Sequence, residues 1–242
     1  MGAARFAFMR EVIGVTHHDL EADSPRAENW GYLVRDGVPF PQRDEPSTLV
    51  PGFALYGGDY FDREKPPLLY DMVEGRDPAA WVLENALLPI IRHWVACFRD
   101  LGFILEPHGQ NVLLEISPDG AVTRIVHRDL SVGIDMRRRR DLGLPDGDLN
   151  DYNRMESGQF LSIAYDKFMG GHFFDPLLAT VMALDSRLTP EDVRAPCRAE
   201  FAGAFPEEEL YLPRTVHYFT EKRDRFGKPL YEDTREAPTW RP

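Results

Sequence analysis

The sequence predicts an α+β fold with short N-terminal strands, a β-hairpin core and a mostly helical C-terminal part. Turn-forming residues crowd the first 78 positions, as in GVPFPQRDEPS and PGFALYGGDYF. Apolar residues then recur at helical steps, and two apolar runs separated by a turn follow at 112–126. A chain of 242 residues with 43% hydrophobic and 28% charged residues is typical of one large globular domain.

One long helix is predicted between residues 77 and 102. Asp77 and Pro78 are typical of a helix N-cap followed by a first-turn proline, and Gly102 ends the pattern. Pro89 should kink this helix or split it. The apolar positions at three- and four-residue steps are Leu83, Leu87, Ile90, Ile91, Trp94, Phe98 and Leu101.

The hairpin is predicted from Val112–Ile116 and Val122–Val126, joined by the turn SPDG. Asn111 precedes its first strand and Asp129 follows its second. Because a hairpin brings its outer ends side by side, these two side chains should face one cavity. An amide oxygen beside a carboxylate suits Mg²⁺, which usually binds one or two carboxylates together with substrate phosphates.

Protein kinases place an Asn and an Asp on magnesium at the two ends of such a hairpin. Their catalytic Asp lies five residues before that Asn, where this chain has Glu106. The rest of a protein kinase is missing, because GFALYGGDYF lacks the GxGxxG spacing and only Lys65 precedes the hairpin among lysines. A kinase-like phosphotransferase acting on a small molecule therefore stays open as an alternative.

The segments EPHGQNVLLEI and RIVHRDL resemble the HGQN and RD motifs of the IucA/IucC family of siderophore synthetases. The resemblance is clearest over residues 79–135 and extends more weakly from residue 28 to residue 178. It implies a kinase-like palm at 79–220 that binds nucleotide and carries a helical tail. Residues 1–78 would then pack on this core. The charged, proline-containing end at 221–242 is predicted from its composition to be a partly disordered extension.

The resemblance implies a ligase that uses ATP and Mg²⁺ to activate a carboxylate, such as citrate, as an acyl-adenylate. An amine or alcohol then attacks that intermediate. By position, His108 would contact the nucleotide and the carboxylate, while Gln110, Asn111 and Asp129 would hold Mg²⁺ and phosphates. Arg128 would offset negative charge, and Glu106 would orient His108 or a metal-bound water. Pre-placed cations are needed because adenylation joins two anions.

The chain is shorter than members of that family, and no segment matches the Ser/Arg/Thr motifs of their upstream half. It therefore resembles the C-terminal half alone. We expect either a separate chain supplying the other half or a homodimer, and a non-catalytic partner subunit of a synthetase is a further alternative.

Charge and cysteine content exclude several other classes of function. A formal charge of −12 argues against nucleic acid or an anionic membrane as partner. Two distant cysteines favour neither a zinc site nor an iron–sulfur cluster, and they fit a reducing cytoplasm. No apolar run is long enough to span a membrane.

Two further segments are given structural interpretations. MRRRRDLG, at 136–143, is predicted to be a solvated loop whose arginines pair with Asp141, Asp146 and Asp148. GGHFFD, which contains His172, is interpreted as a turn between helices.

Overall fold

The computed structural model describes residues 6–16, 31–130, 132–147, 149, 151–225, 227 and 229–242. Its strands are β1 (Phe6–Phe8), β2 (Glu11–Thr16), β3 (Gly31–Arg35), β4 (Thr48–Pro51), β5 (Phe103–Ile104), β6 (Val112–Ile116), β7 (Val122–His127), β8 (Gly133–Asp135), β9 (Arg154–Met155), β10 (His217–Arg223) and β11 (Pro229–Asp233). Its α-helices are α1 (Leu69–Met72), α2 (Pro78–Val82), α3 (Leu88–Leu101), α4 (Met136–Asp141), α5 (Gln159–Ser162), α6 (Asp175–Leu184) and α7 (Pro190–Ala204). The predicted α+β class is confirmed.

The main sheet has four strands in the order β1-β7-β6-β4, with the predicted hairpin β6–β7 at its centre. Strand β1 pairs parallel with β7, and β4 pairs antiparallel with β6. Alternate residues point to opposite faces, so Val112 and Leu114 enter the main core while Leu113 packs in a smaller cluster with Ala7 and Val126.

The predicted long helix is present and continues through Pro89 without ending there. A π-helical turn, Leu83–Leu87, joins α2 to α3, in which Pro89 is the second residue. Proline cannot donate to the carbonyl four residues earlier, and a locally wider turn accommodates that loss. Asp77 caps the helix by accepting from the Ala80 N–H at 2.9 Å, and Gly102 ends it with φ of 69°.

The predicted helical tail is also present, but its middle has an unusual form. Between α5 and α6 the chain runs as a π-helical segment, Ile163–Phe174, which contains the GGHFFD residues that were interpreted as a turn. That interpretation is wrong. Helix α7 starts with a capping box in which Thr189 and Asp192 satisfy each other's backbone N–H groups.

The loop predicted for the arginine-rich segment is wrong, because these residues form helix α4. The Asp135 side chain caps it by accepting from the N–H groups of Arg137 and Arg138. Arg139 is buried, and its guanidinium donates to the carbonyls of Leu101 and Pro145, at 2.7 Å each.

The ion pairs that the structure shows for this segment use carboxylates other than the predicted ones. Arg137 pairs with Asp135 at 2.6 Å, and Arg140 pairs with Glu156 at 2.8 Å. Asp141 instead accepts a hydrogen bond from the Tyr211 hydroxyl. Asp148 lies outside the described residues.

Partial disorder, predicted for the C-terminal residues, is wrong for residues 229–242. Strand β11 pairs antiparallel with β10, and Trp240 and Arg241 are buried beyond it. The Arg241 Nε lies 2.9 Å from Asp166 Oδ1, and its Nη2 donates to the Pro213 carbonyl. A buried charge requires such partners, so this segment is fixed by contacts distant in sequence. No described helix has the length and apolar character needed to cross a membrane.

Candidate functional site

The two outer ends of the central hairpin meet through backbone and side-chain hydrogen bonds. The Arg128 N–H donates to the Asn111 carbonyl at 2.8 Å, one residue beyond the last pair of the ladder, Val112 with His127. The buried Asn111 amide donates through Nδ2 to the Glu106 carbonyl at 3.2 Å. With Nδ2 used in this way, Oδ1 is the Asn111 atom able to bind a cation.

The loop before β6 is held in a tight turn by its own backbone. The His108 carbonyl accepts from the N–H groups of Asn111, at 2.9 Å, and Val112, at 3.2 Å. Across the hairpin, Arg128 Nε donates to the Gln110 carbonyl at 2.7 Å. The guanidinium predicted to offset negative charge is thus anchored to the loop that carries His108 and Gln110.

Gly109 lies where this loop presses against the short 3₁₀-helix Gly52–Leu55 that follows β4. The Phe53 N–H donates to the Gly109 carbonyl at 2.9 Å. A Cβ at position 109 would lie 2.4 Å from the Tyr56 hydroxyl oxygen and 3.0 Å from the Phe53 nitrogen. The close approach of two backbone segments therefore requires glycine in the HGQN sequence.

Two carboxylates of the predicted site interact through space. The pKa of Glu106 is raised to about 7, mainly by burial and further by the negative charge of Asp129. Asp129 is half-buried and has a φ of 68°, a left-handed conformation that Asp and Asn tolerate better than most residues. Close carboxylates with one raised pKa form a site at which a cation would be stabilised.

His108 is expected to be neutral near pH 7. Burial lowers its pKa, Asp129 opposes that shift, and His172 and Arg128 add to the lowering. A neutral imidazole has one nitrogen that donates and one that accepts. His108 can therefore donate a hydrogen bond to a phosphate or carboxylate oxygen, rather than act as a fixed cation.

An open cleft of about 450 Å³ lies over this loop. Of the six residues predicted from sequence, Glu106, His108 and Gln110 line it, while Asn111 is buried. Arg128 and Asp129 are half-buried and influence the pKa of His108, which places them close by. The other lining residues are Phe53, Tyr56, Gly109, Phe168 and His172.

Sequence reasoning missed Phe168 and His172 as lining residues. Both lie on the π-helical segment, and the Phe168 ring contacts His108 edge-on at 6.0 Å and His172 at 5.7 Å between ring centroids. The signal was weak because GGHFFD resembles an ordinary glycine turn. Pro176, four residues after His172, was the available hint of an irregular helix, since it has no N–H to donate to the His172 carbonyl. That carbonyl accepts from the Tyr56 hydroxyl at 3.2 Å.

The residues that could contribute to a metal site carry oxygen donors. No group of three or more His, Cys, Asp or Glu side chains suited to a metal occurs within the part of the chain that the structure describes. Glu106, Asp129 and the Asn111 amide provide hard oxygen atoms, and Mg²⁺ commonly completes such a set with water and substrate phosphates.

Comparison with solved structures identifies the fold. The petrobactin biosynthesis protein AsbB from Bacillus anthracis str. Sterne superposes with a TM-score of 0.67 over 97% of this chain, at 16% identity. The aerobactin synthetases IucC and ATP-bound IucA, both from a hypervirulent pathotype of Klebsiella pneumoniae, give TM-scores of 0.57 over 85% and 0.62 over 84%, each at 14% identity. The chain has the fold of the C-terminal half of siderophore synthetases.

The match covers only part of each synthetase. The chain spans 42% of the length of AsbB and 36% of the lengths of IucC and ATP-bound IucA. No family model and no curated protein matches the sequence. The fold predicted from the HGQN and RD motifs is therefore confirmed by structural comparison. The sequence identity to these structures is only 14–16%, and the comparisons of sequence found no match.

Proposed function

We propose that the chain is a siderophore synthetase-type ligase that depends on ATP and Mg²⁺, or the nucleotide-binding half of one. It would activate a carboxylate such as citrate as an acyl-adenylate, which then condenses with an amine or an alcohol. The observation that carries the proposal is the meeting of Glu106, Asn111 and Asp129 beside His108, within a chain that has the synthetase fold. The ATP-bound state of one structural relative, IucA, supports the nucleotide.

Each residue has a defined task in this proposal. Asn111 and Asp129 would hold Mg²⁺, with Gln110 at the open side of the cleft, and the metal would supply charge neutralisation of the phosphates. His108 would donate a hydrogen bond to the oxygen at which the carboxylate and the nucleotide meet. Glu106, with its pKa near 7, would orient His108 or a bound water and can accept or release a proton near neutral pH. Arg128 would hold Gln110 in place through its hydrogen bond.

The proposed reaction has two steps, each with its own leaving group. The carboxylate oxygen bonds to the α-phosphorus of ATP, and pyrophosphate leaves. The amine or alcohol then bonds to the acyl carbon, loses a proton and displaces AMP. A ligase of this kind therefore releases pyrophosphate and AMP.

Calorimetric titration with ATP, with and without Mg²⁺, tests the nucleotide claim. We expect heat that depends on Mg²⁺ and is abolished or strongly reduced in Asn111→Ala and His108→Ala. No heat in the wild-type protein would refute the proposal. Chromatography of nucleotides after incubation with citrate and an amine distinguishes AMP from ADP, and ADP would favour the kinase-like alternative suggested by the spacing of Glu106, Asn111 and Asp129.

A second candidate is a non-catalytic subunit, favoured by the 36–42% coverage of the synthetases. In that case the chain would bind nucleotide but form no acyl-adenylate without the polypeptide that supplies the other half. Pyrophosphate release by the chain alone, stimulated by a carboxylate, would exclude this candidate. The homodimer predicted from the resemblance is a separate question, which sedimentation velocity answers.

A further inference from the structure

The cleft has an aromatic wall that the proposed reaction does not itself require. Phe168 is half-buried and His172 is exposed, and both line the cleft from the π-helical segment. Phe53 also lines the cleft, with 45% of its surface exposed. Aromatic rings that line one cleft provide flat apolar surfaces for a ligand.

The rings of Phe168 and His172 pack against aromatic residues of β10. Phe168 packs against Phe219 of β10 at 6.2 Å, and His172 against Tyr218 at 6.5 Å, between ring centroids. The hydrogen bond from the Tyr56 hydroxyl to the His172 carbonyl ties the wall to the segment that carries Phe53. Ligands bind better to a surface that is ordered in advance, because less conformational entropy is lost.

The charges near the wall favour an uncharged part of the ligand at Phe168 and His172. None of the described residues that line the cleft is a lysine or an arginine. The neighbouring Lys167 pairs with Glu236 at 2.6 Å and lies over the Tyr218 ring. The Arg128 guanidinium donates to the Gln110 carbonyl. An anionic group lying directly on this wall would therefore find few cations to pair with, whereas an uncharged ring needs none.

The spacing of Phe168 and His172 explains why both reach the same cleft. Residues four apart lie on one face of a helix. Gly170, between them, packs under Trp240, where a Cβ would lie 2.7 Å from the indole Cδ1. The segment thus presents two rings to the cleft while its opposite side is closed by the C-terminal tryptophan.

We infer that Phe168 and His172 form a subsite for an uncharged planar ring of a substrate. This deepens the proposed function, on which it rests. Two sources of such a ring fit a ligase of this kind: the purine base of the nucleotide, or an aromatic group on one of the two condensing substrates. In either case the ring stacks on Phe168, and the ligand's polar end points towards His108 and Glu106.

The test compares ligands that carry a planar aromatic ring with matched ligands that lack one. AMP is paired with tripolyphosphate, and phenethylamine with 2-cyclohexylethylamine. Binding is measured by calorimetry and by saturation-transfer NMR for the wild type, Phe168→Ala, Phe168→Trp and His172→Ala. Phe61→Ala serves as control, because Phe61 is 94% exposed and does not line the cleft. Melting temperatures show whether each variant folds.

We expect Phe168→Ala to weaken binding of one ring ligand by about fivefold or more, as for loss of base–aromatic stacking. Phe168→Trp should restore it, and tripolyphosphate, cyclohexylethylamine and the Phe61→Ala control should show no change. Weakening of AMP assigns the ring to the nucleotide, and weakening of phenethylamine assigns it to a condensing substrate.

Two outcomes overturn the inference. One is that neither ring ligand responds to Phe168→Ala or to His172→Ala. The other is that tripolyphosphate or cyclohexylethylamine responds as strongly as its aromatic counterpart. Failure of the proposed function gives a different result, in which wild-type protein binds neither ATP nor tripolyphosphate while the phenethylamine measurements still report on the subsite.

Discussion

The backbone N–H of Arg128 donates to the carbonyl of Asn111 at 2.8 Å, and this bond brings the two ends of the central hairpin into one site. Each end carries an oxygen ligand for the proposed Mg²⁺, the Asn111 amide and the Asp129 carboxylate. The pairing of β6 with β7 thus positions the backbone that leads to both groups.

Asp129→Asn should weaken Mg²⁺-dependent binding of ATP by about tenfold or more, equivalent to roughly 1.4 kcal/mol. The carboxylate is lost, but asparagine keeps the left-handed backbone with a φ of 68°. Calorimetric titration measures the effect, with the exposed Asp71→Asn as a charge-matched control. Equal affinities in Asp129→Asn and wild type would remove Asp129 from the metal site.

Gly109→Ala should destabilise the protein by about 1–3 kcal/mol and weaken nucleotide binding, because the added Cβ meets the Phe53 backbone and the Tyr56 hydroxyl. Urea unfolding measures the loss. Gly58→Ala is the matched control, since a Cβ there has no neighbour within 4 Å among the described residues, and it should change stability by less than about 0.5 kcal/mol. Equal effects at the two glycines would contradict the close packing.

Glu106→Gln should become more stable relative to wild type as the pH rises. The folded-state pKa of Glu106 is raised from 4.5 to about 7, so the folded protein holds this proton more tightly than the unfolded chain does. The stability that the protonated Glu106 contributes is therefore full below pH 4.5 and is lost as the pH rises through 7. Glutamine stays neutral throughout. Between pH 5 and pH 8.5 the difference in unfolding free energy should grow in favour of the variant by about 1–2 kcal/mol, allowing for partial exposure. A pH-independent difference would rule out the raised pKa.

His93→Gln should reduce the acid sensitivity of the fold. Burial lowers the pKa of His93 from 6.5 to about 3, so the stability it contributes is present above pH 6.5 and is lost as the pH falls towards 3. Between pH 6.5 and pH 5.0 the wild type should lose about 2 kcal/mol more than the variant. Parallel stability curves for the two proteins from denaturant unfolding would show that His93 takes up a proton in the folded state.

Arg241→Met should destabilise the protein by about 3–5 kcal/mol, because it leaves the buried Asp166 without its charged partner. The double variant Arg241→Met/Asp166→Leu should recover much of this loss. Thermal unfolding of the single and double variants measures the coupling. A cost below about 1 kcal/mol for Arg241→Met would mean that the C-terminal segment contributes little to the fold.

The part of the site that could be predicted from sequence is the part formed by local contacts. The Asn111 carbonyl meets the N–H of Arg128, the residue before Asp129, because a hairpin needs only a turn between its strands, and SPDG is recognisable as one. Glu106 follows from its position five residues before Asn111. Geometry of this kind depends on spacing along the chain, which the sequence displays directly.

The parts that could not be predicted depend on tertiary packing between segments distant in sequence. Phe168 and His172 share a helix face by their spacing of four residues, but the contact of that face with the His108 loop is a tertiary contact, which no local pattern displays. Helix α4 was hidden because four successive arginines suggest a solvated segment, whereas Arg139 binds carbonyls of Leu101 and Pro145. The burial of Arg241 depends on Asp166, 75 positions earlier.

The order of strands in the main sheet has a consequence for the kinetics of folding. Strands β6 and β7 are adjacent in sequence, whereas β1 joins β7 by pairing Phe6 with Ile125, and β4 joins β6 by pairing Leu49 with Glu115. Closing those long loops costs entropy before any pairing is gained, so local pairing is expected first. The sheet should therefore nucleate at the hairpin and grow outward, and the frame of the candidate site would be the earliest part of the sheet to form.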